Sequence, residues 1–162
     1  MNAGLLFYQA HRTALCEQAV KKHAARLRID VASVNASARA DGLCRALAAF
    51  LRDYPLVYLI GAVGDGRLLS IPPVCQALHV PLNARGEPER VKPLPGFDAD
   101  GYLLESRTQA ILLLPDLPDE LNIQLPGAER RLAEKFGLEP PKPKARIDYE
   151  ALVDRSFAEA QL

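Results

Sequence analysis

The chain has 162 residues, 49% of them apolar, and its 20 basic and 20 acidic residues cancel to a formal charge of zero. That length fits one domain with a substantial core, and with neither a basic excess nor a long block of one sign the chain lacks the electrostatic footprint of a nucleic-acid or acidic-membrane binder. No apolar stretch approaches the roughly 18 to 20 residues that cross a bilayer, so a soluble protein with no membrane partner is expected.

The opening Met1-Asn-Ala-Gly-Leu-Leu-Phe-Tyr8 has no basic start and runs at once into charged sequence. It reads as the first strand, centred on Leu5 to Gln9, rather than as a signal peptide, and a cytoplasmic location is the expectation. Thr13 then caps a helix to about Leu27, with Leu15, Cys16, Ala19, Val20, Ala24 and Leu27 inward and Lys21, Lys22 and Arg26 outward. His11, Cys16 and His23, separated by five and seven residues, do not share one helical face and have no fourth partner, so zinc is not expected. Ile29 to Val34 reads as a second strand, and Asp41 to Arg52 as a helix with Leu43, Ala46, Leu47, Phe50 and Leu51 inward. Cys16, Cys44 and Cys75 are odd in number and lie among apolar residues, the usage of reduced core thiols.

Pro55-Leu-Val-Tyr-Leu-Ile60 is a short continuous apolar run, the pattern of a central strand covered on both faces. It breaks into Gly61, Gly64 and Gly66. Such glycines either make a plain turn or present backbone N–H groups to a phosphate. Ser70 with Pro72 and Pro73 opens a short helix to about Leu78. From His79 to Gly96 no periodicity is legible, and Asn83 to Gly86 looks like a turn. Tyr102 to Ser106 and Ala110 to Leu114 read as a β-hairpin with a buried second strand. Asp98 and Asp100, before it, lack the further ligands of a calcium loop and read as a turn.

The second buried strand ends in Leu114-Pro-Asp-Leu-Pro-Asp-Glu-Leu121, where Asp119 or Glu120 would sit in the first turn of a helix and complement its dipole. After Pro126-Gly127 a helix from Ala128 to Phe136 is expected to close at Gly137. Pro140 to Pro143 is a stiff spacer. Ile147 to Ala160, with Ile147, Leu152, Val153, Phe157 and Ala160, makes a last amphipathic helix. The expected organisation is therefore a domain over 1–138 and a spacer with a helix over 139–162.

From about Ala40 to Leu138 the chain resembles the molybdopterin-binding domain shared by molybdenum-cofactor biosynthesis proteins and the N-terminal part of competence-damage-inducible proteins. Two segments carry the resemblance: the helix, strand and Gly61-Ala-Val-Gly64 turn leading to Pro72, and Ala110-Ile-Leu-Leu-Leu-Pro-Asp-Leu-Pro-Asp-Glu-Leu121. It implies an α/β fold, a three-layer αβα sandwich with a mostly parallel central sheet plus a β-hairpin. It also implies a homo-oligomer, usually a trimer, that binds molybdopterin or a nucleotide with Mg2+ at the carboxyl ends of the strands. On this footing Gly61, Ala62, Val63, Gly64, Asp65, Gly66, Pro115, Asp116 and Pro118 face the phosphate-bearing ligand, and Asp119 and Glu120 would hold the metal.

The departures from that pattern decide the functional expectation. Where the family carries aspartates past its glycines this chain has Leu68 and Leu69, its second glycine is Ala62, its threonine is Ile71, and its Gly-Asp-Glu after the first strand is replaced by Tyr8-Gln-Ala-His-Arg-Thr13. Leucine neither holds magnesium nor moves a proton. Asp65 is placed to stand in for a lost carboxylate, or simply to pair with Arg67 at the surface. No catalytic residue is assigned. A ligand-binding domain with weakened or lost catalysis is expected; the alternatives are an inert oligomeric scaffold and Mg-dependent adenylyl transfer or nucleotide pyrophosphate hydrolysis. What separates them is whether the glycines open their amides to a pocket or are covered by Leu68 and Leu69.

Overall fold

The computed structural model describes residues 1–143 and 149–160. Four neighbouring strands of one sheet are parallel: β1 (Asn2–Tyr8), β2 (Asp30–Ser37), β3 (Leu56–Gly61) and, further along the chain, β8 (Ala110–Pro115). The short β4 (Val63–Gly64) and β5 (Arg67–Leu68) pair only with each other, while β6 (Lys92–Leu94) and β7 (Gly101–Glu105) complete a six-stranded sheet of order β2-β1-β3-β8-β7-β6, its last two strands antiparallel. The helices are α1 (Thr13–Arg26), α2 (Ala40–Asp53), α3 (Ile71–Ala77), α4 (Pro118–Phe136) and α5 (Tyr149–Ala160).

Strand alternation divides the interior into two cores. Leu5, Phe7, Tyr58, Ile60, Leu112 and Leu114 point to the side covered by α1 and α4. Leu6, Tyr8, Val57, Leu59, Ile111 and Leu113 point to the side covered by α2 and α3. β3 and β8 are buried on both faces, which is why they read as unbroken apolar runs. This is the three-layer αβα sandwich expected, hairpin included.

Several local expectations are corrected. Thr13 opens α1 as a helical residue behind the cap position Arg12 and makes no capping bond, and Leu15 is 58% exposed. The glycine stretch is neither an open loop nor the start of a helix. Asp65 and Gly66 have φ of 51° and 74°, the left-handed pair that closes a two-residue hairpin, and this hairpin intervenes between β3 and α3. β6 was not legible because it is three residues long and contains Pro93, a residue confined to edge strands.

α4 is one helix from Pro118, with Pro126 inside it. Proline there removes a helical hydrogen bond at a cost of about 3 kcal/mol. Pro126 and Gly127 lie on the exposed face, so water reaches the freed carbonyl, while Leu121, Leu125, Ala128 and Leu132 form one buried stripe across the break. Gly137 ends the helix at φ 62°, as its sequence position implied. Ile147 lies outside the described residues, as do the side chains of Leu152, Phe157 and Ala160; Val153 on α5 is half-exposed. Among the described residues no helix is long and apolar enough to cross a membrane.

Candidate functional site

The chain runs from β1 to β2 on one side and, through α2, to β3 on the other, so the strand order reverses between β1 and β3. Loops that leave two neighbouring parallel strands in opposite directions open a crevice at their carboxyl ends, the usual ligand position in α/β sheets. Here the crevice has a volume of about 560 Å³, within the range of small-molecule sites. Ala10, Ala62, Val63, Leu69 and Leu117 make its walls apolar, and Gln9, His11 and Asp116 supply the polar groups.

Gln9 and Asp116 are fixed by the backbone around them. Gln9 has a φ of 53°, a conformation that costs a non-glycine residue about 1 kcal/mol or more. It is held by its own N–H on the Ser37 carbonyl at 3.1 Å, and its side-chain amide donates to the Ala38 carbonyl at 3.1 Å and the Tyr8 hydroxyl at 3.2 Å. These bonds tie the exits of β1 and β2 together. Asp116 is buried, its N–H donating to the Gly61 carbonyl at 3.0 Å and its Oδ2 accepting the His11 N–H at 2.9 Å. The Ala62 N–H returns to the Tyr8 carbonyl at 3.1 Å. The crevice floor is thus cross-linked by main-chain bonds between β1, β3 and β8.

Asp116 also acts on the core beneath it. Burial first, and the Asp116 charge second, push the Cys16 thiol up to about 11, with Arg12 opposing them. Cys16 is therefore a packed thiol under the site rather than a nucleophile in it.

The residues singled out in the sequence divide into three groups. Ala62, Val63 and Asp116 line the crevice. Gly61 and Pro115 are paired strand ends below it, and Pro118 is the first residue of α4. Gly64, Asp65 and Gly66 belong to the hairpin, where Gly64 pairs with Arg67. Leu68 turns into the core, whereas Leu69 lies over Gly64, its Cδ2 2.9 Å from where a Cβ would stand, and borders both the crevice and a second recess of about 400 Å³ on the far side of the hairpin. The glycines are therefore closed on themselves and partly roofed by Leu69.

The proposed metal ligands do not point to the crevice together. Asp119 is exposed in the first turn of α4. Glu120 is 3% exposed, and its carboxylate accepts the Phe97 N–H (2.9 and 3.0 Å to its two oxygens) and the Asp98 N–H (2.9 Å), with the Gln124 amide at 3.4 Å. Its oxygens are committed to the 96–98 loop. Among the described residues no three His, Cys, Asp or Glu side chains gather to hold a metal ion.

Sequence reasoning missed Gln9, His11, Ala38 and Leu117 as crevice residues. The available signal was positional: once the first strand ends at Tyr8, the residues after it stand at a sheet switch point whatever their type.

No protein-family model and no curated protein sequence matches the chain. Among solved structures it is similar to the protein CinA, of unknown function, from Thermoplasma acidophilum: 14% identity, 81% of this chain and 97% of that chain covered, TM-score 0.65. It is also similar to the molybdopterin biosynthesis enzyme MoaB from Thermus thermophilus: 18% identity, 87% of this chain and 99% of that chain covered, TM-score 0.57. The likeness is one of fold, and it is the molybdopterin-binding-domain-like fold that the motifs implied.

Proposed function

We propose that the protein is a divergent molybdopterin-binding-like domain that holds a pterin phosphate or nucleotide in the switch-point crevice, with weakened or lost catalysis. The observation that carries this reading is the buried Asp116 carboxylate in an otherwise apolar-walled crevice. A flat heteroaromatic ring fills such walls, and a buried carboxylate with an unused oxygen selects a ring edge that presents paired N–H groups, as the amino-pyrimidinone edge of a pterin or guanine does. The fold shared with MoaB, a molybdopterin biosynthesis enzyme, supports the same ligand class.

Leu68 and Leu69, in place of the carboxylates that metal-assisted transfer needs, support binding over turnover. The reading is tested by thermal shift and calorimetry with a pterin, its monophosphate, GTP and ATP, each with and without magnesium. The pterin phosphate or GTP is expected to stabilise the chain by about 2.7 kcal/mol at a hundredfold excess over Kd, and Asp116→Asn is expected to abolish the shift while keeping the fold, because Asn can still accept from His11. No stabilisation by any of these ligands would overturn the reading, and magnesium-dependent consumption of ATP or GTP would restore the enzymatic alternative.

A further inference from the structure

The segment after α3 shows no helical or strand period, yet residues 81–89 are tightly ordered. Asn83 organises them: its N–H donates to the Glu87 carbonyl at 2.9 Å, and its Oδ1 accepts the Arg85 and Glu87 N–H groups at 2.9 and 3.0 Å. Leu82 bridges to Pro88, and the Glu89 N–H donates to the Pro81 carbonyl at 2.8 Å. This turn stands beside the β4–β5 hairpin, and between them lies the recess of about 400 Å³ on the far side of the hairpin from the crevice. Pockets for small ligands span roughly 300 to 1,000 Å³, so the recess has the size of one. Gly86, at φ 75°, lets the Arg67 side chain lie across the turn, with Nη1 2.9 Å from where a Cβ would stand.

Two kinds of surface meet in this recess. Leu69, Ile71, Pro72 and Leu82 make an apolar wall, of which Leu69 and Leu82 are 41% and 40% exposed. Asp65 and Arg67, both exposed, bring opposite charges to the same space. Their sequence spacing suggests a surface ion pair, but they pair neither with each other nor with any other charged group among the described residues. The surroundings of Arg67 are also not those of a simple anion site. Burial raises the Tyr102 hydroxyl, Asp100 and Glu87 raise it further and Arg67 opposes them, so acids stand close to the same guanidinium. These acids oppose a phosphate dianion, whereas a carboxylate that brings its own cation meets no net repulsion.

We propose that this recess binds a free apolar α-amino acid. The carboxylate of the ligand meets the Arg67 guanidinium, whose planar fork matches it, and the ammonium meets Asp65. The ligand's side chain covers Leu69, Leu82 and Pro72 and removes their exposed apolar surface from water. Each charge of the zwitterion thus faces an opposite charge that has no other ion-pair partner. The hairpin and the 81–89 turn set the walls before the ligand arrives, which keeps the ordering cost of binding low. The assignment does not depend on ligand binding in the crevice, from which Leu69 divides the recess.

Titration of the full isotope-labelled chain with L-leucine and L-phenylalanine, followed by amide chemical shifts, tests the assignment. Saturable shifts are expected at the Gly64 and Gly86 amides, with a Kd of about 1 mM or tighter. N-acetyl-leucine lacks the ammonium and leucinamide the carboxylate, so each should bind about tenfold more weakly than leucine. Arg67→Gln and Asp65→Asn should each raise the Kd for leucine about tenfold, with an unchanged circular dichroism spectrum and melting point. Asn suits position 65, whose φ is 51°. Neither amino acid producing a saturable shift at about 10 mM, well above the expected Kd, would overturn the proposal. So would blocked forms that bind as tightly as leucine, variants that bind like the wild type, or shifts confined to Gln9 and His11 in the crevice.

Discussion

Replacing Glu120 by Gln removes one charge and one acceptor from a buried cluster and leaves its volume unchanged. In the native chain two backbone amides, those of Phe97 and Asp98, depend on this carboxylate at 2.9 Å. Hydrogen bonds to a charged group contribute about 1.5 to 3 kcal/mol each. Glutamine keeps one acceptor oxygen, so one bond survives in weaker form. Its amide NH2 must then face either a backbone N–H or the Gln124 amide nitrogen 3.4 Å away, a donor against a donor. The expected loss is about 2 to 3 kcal/mol. For a domain of this size that corresponds to a fall in Tm of about 5 to 10 °C. Urea unfolding followed by far-UV circular dichroism reads the free energy, and hydrogen exchange should show the Phe97 and Asp98 amides losing protection. A change below about 0.5 kcal/mol, the range of ordinary surface substitutions, would refute the reasoning and return Glu120 to the role of a ligand residue.

Gly4→Ala is expected to destabilise by about 1 to 3 kcal/mol, because a Cβ there would collide with the Phe50 ring and approach Tyr54 Cδ2 at 3.0 Å; denaturant melts measure it. Ser70→Ala should be neutral or slightly stabilising, since the Ser70 hydroxyl is fully buried without a hydrogen-bond partner; a loss above about 1 kcal/mol would show that the hydroxyl is satisfied in solution. The chain should also lose stability in alkali. The Cys16 thiol titrates near 11 when folded against 9.0 ordinarily, so from pH 9 upward the unfolded state binds fewer protons than the native state and stability falls until about pH 11, which a pH series of urea melts will show. Consistently, a thiol reagent at pH 8 should modify half-buried Cys44 first and leave Cys16 and Cys75 intact until unfolding.

Local chemistry determined a good part of the architecture. Val57 to Ile60 and Ala110 to Leu114 announce two-sided burial by their unbroken apolar runs, because a central strand has no wet face on which polar residues would alternate. Leu43, Leu47 and Phe50 mark the inward face of α2 by their spacing, and Gly137 marks a helix stop because it takes the left-handed backbone readily. These signals lie within a few residues of one another, and they sufficed for the α/β order of strands and helices; the three-layer arrangement was what the family resemblance implied. What tertiary structure alone decided depends on partners distant in sequence. Glu120 reads as a helix-dipole or metal carboxylate until residues 96–98, more than twenty positions away, bring their amides to it. Pro126 reads as a helix boundary until the sheet offers the stripe from Leu121 to Leu132 a continuous surface to bury. Gly61 to Gly66 reads as a phosphate cradle, yet the positive φ of Asp65 and Gly66 folds it into a hairpin under Leu69. The crevice itself is assembled from the exits of β1, β2, β3 and β8, each segment ordinary by itself, so only the order of strands in the sheet could bring Gln9, His11 and Asp116 together.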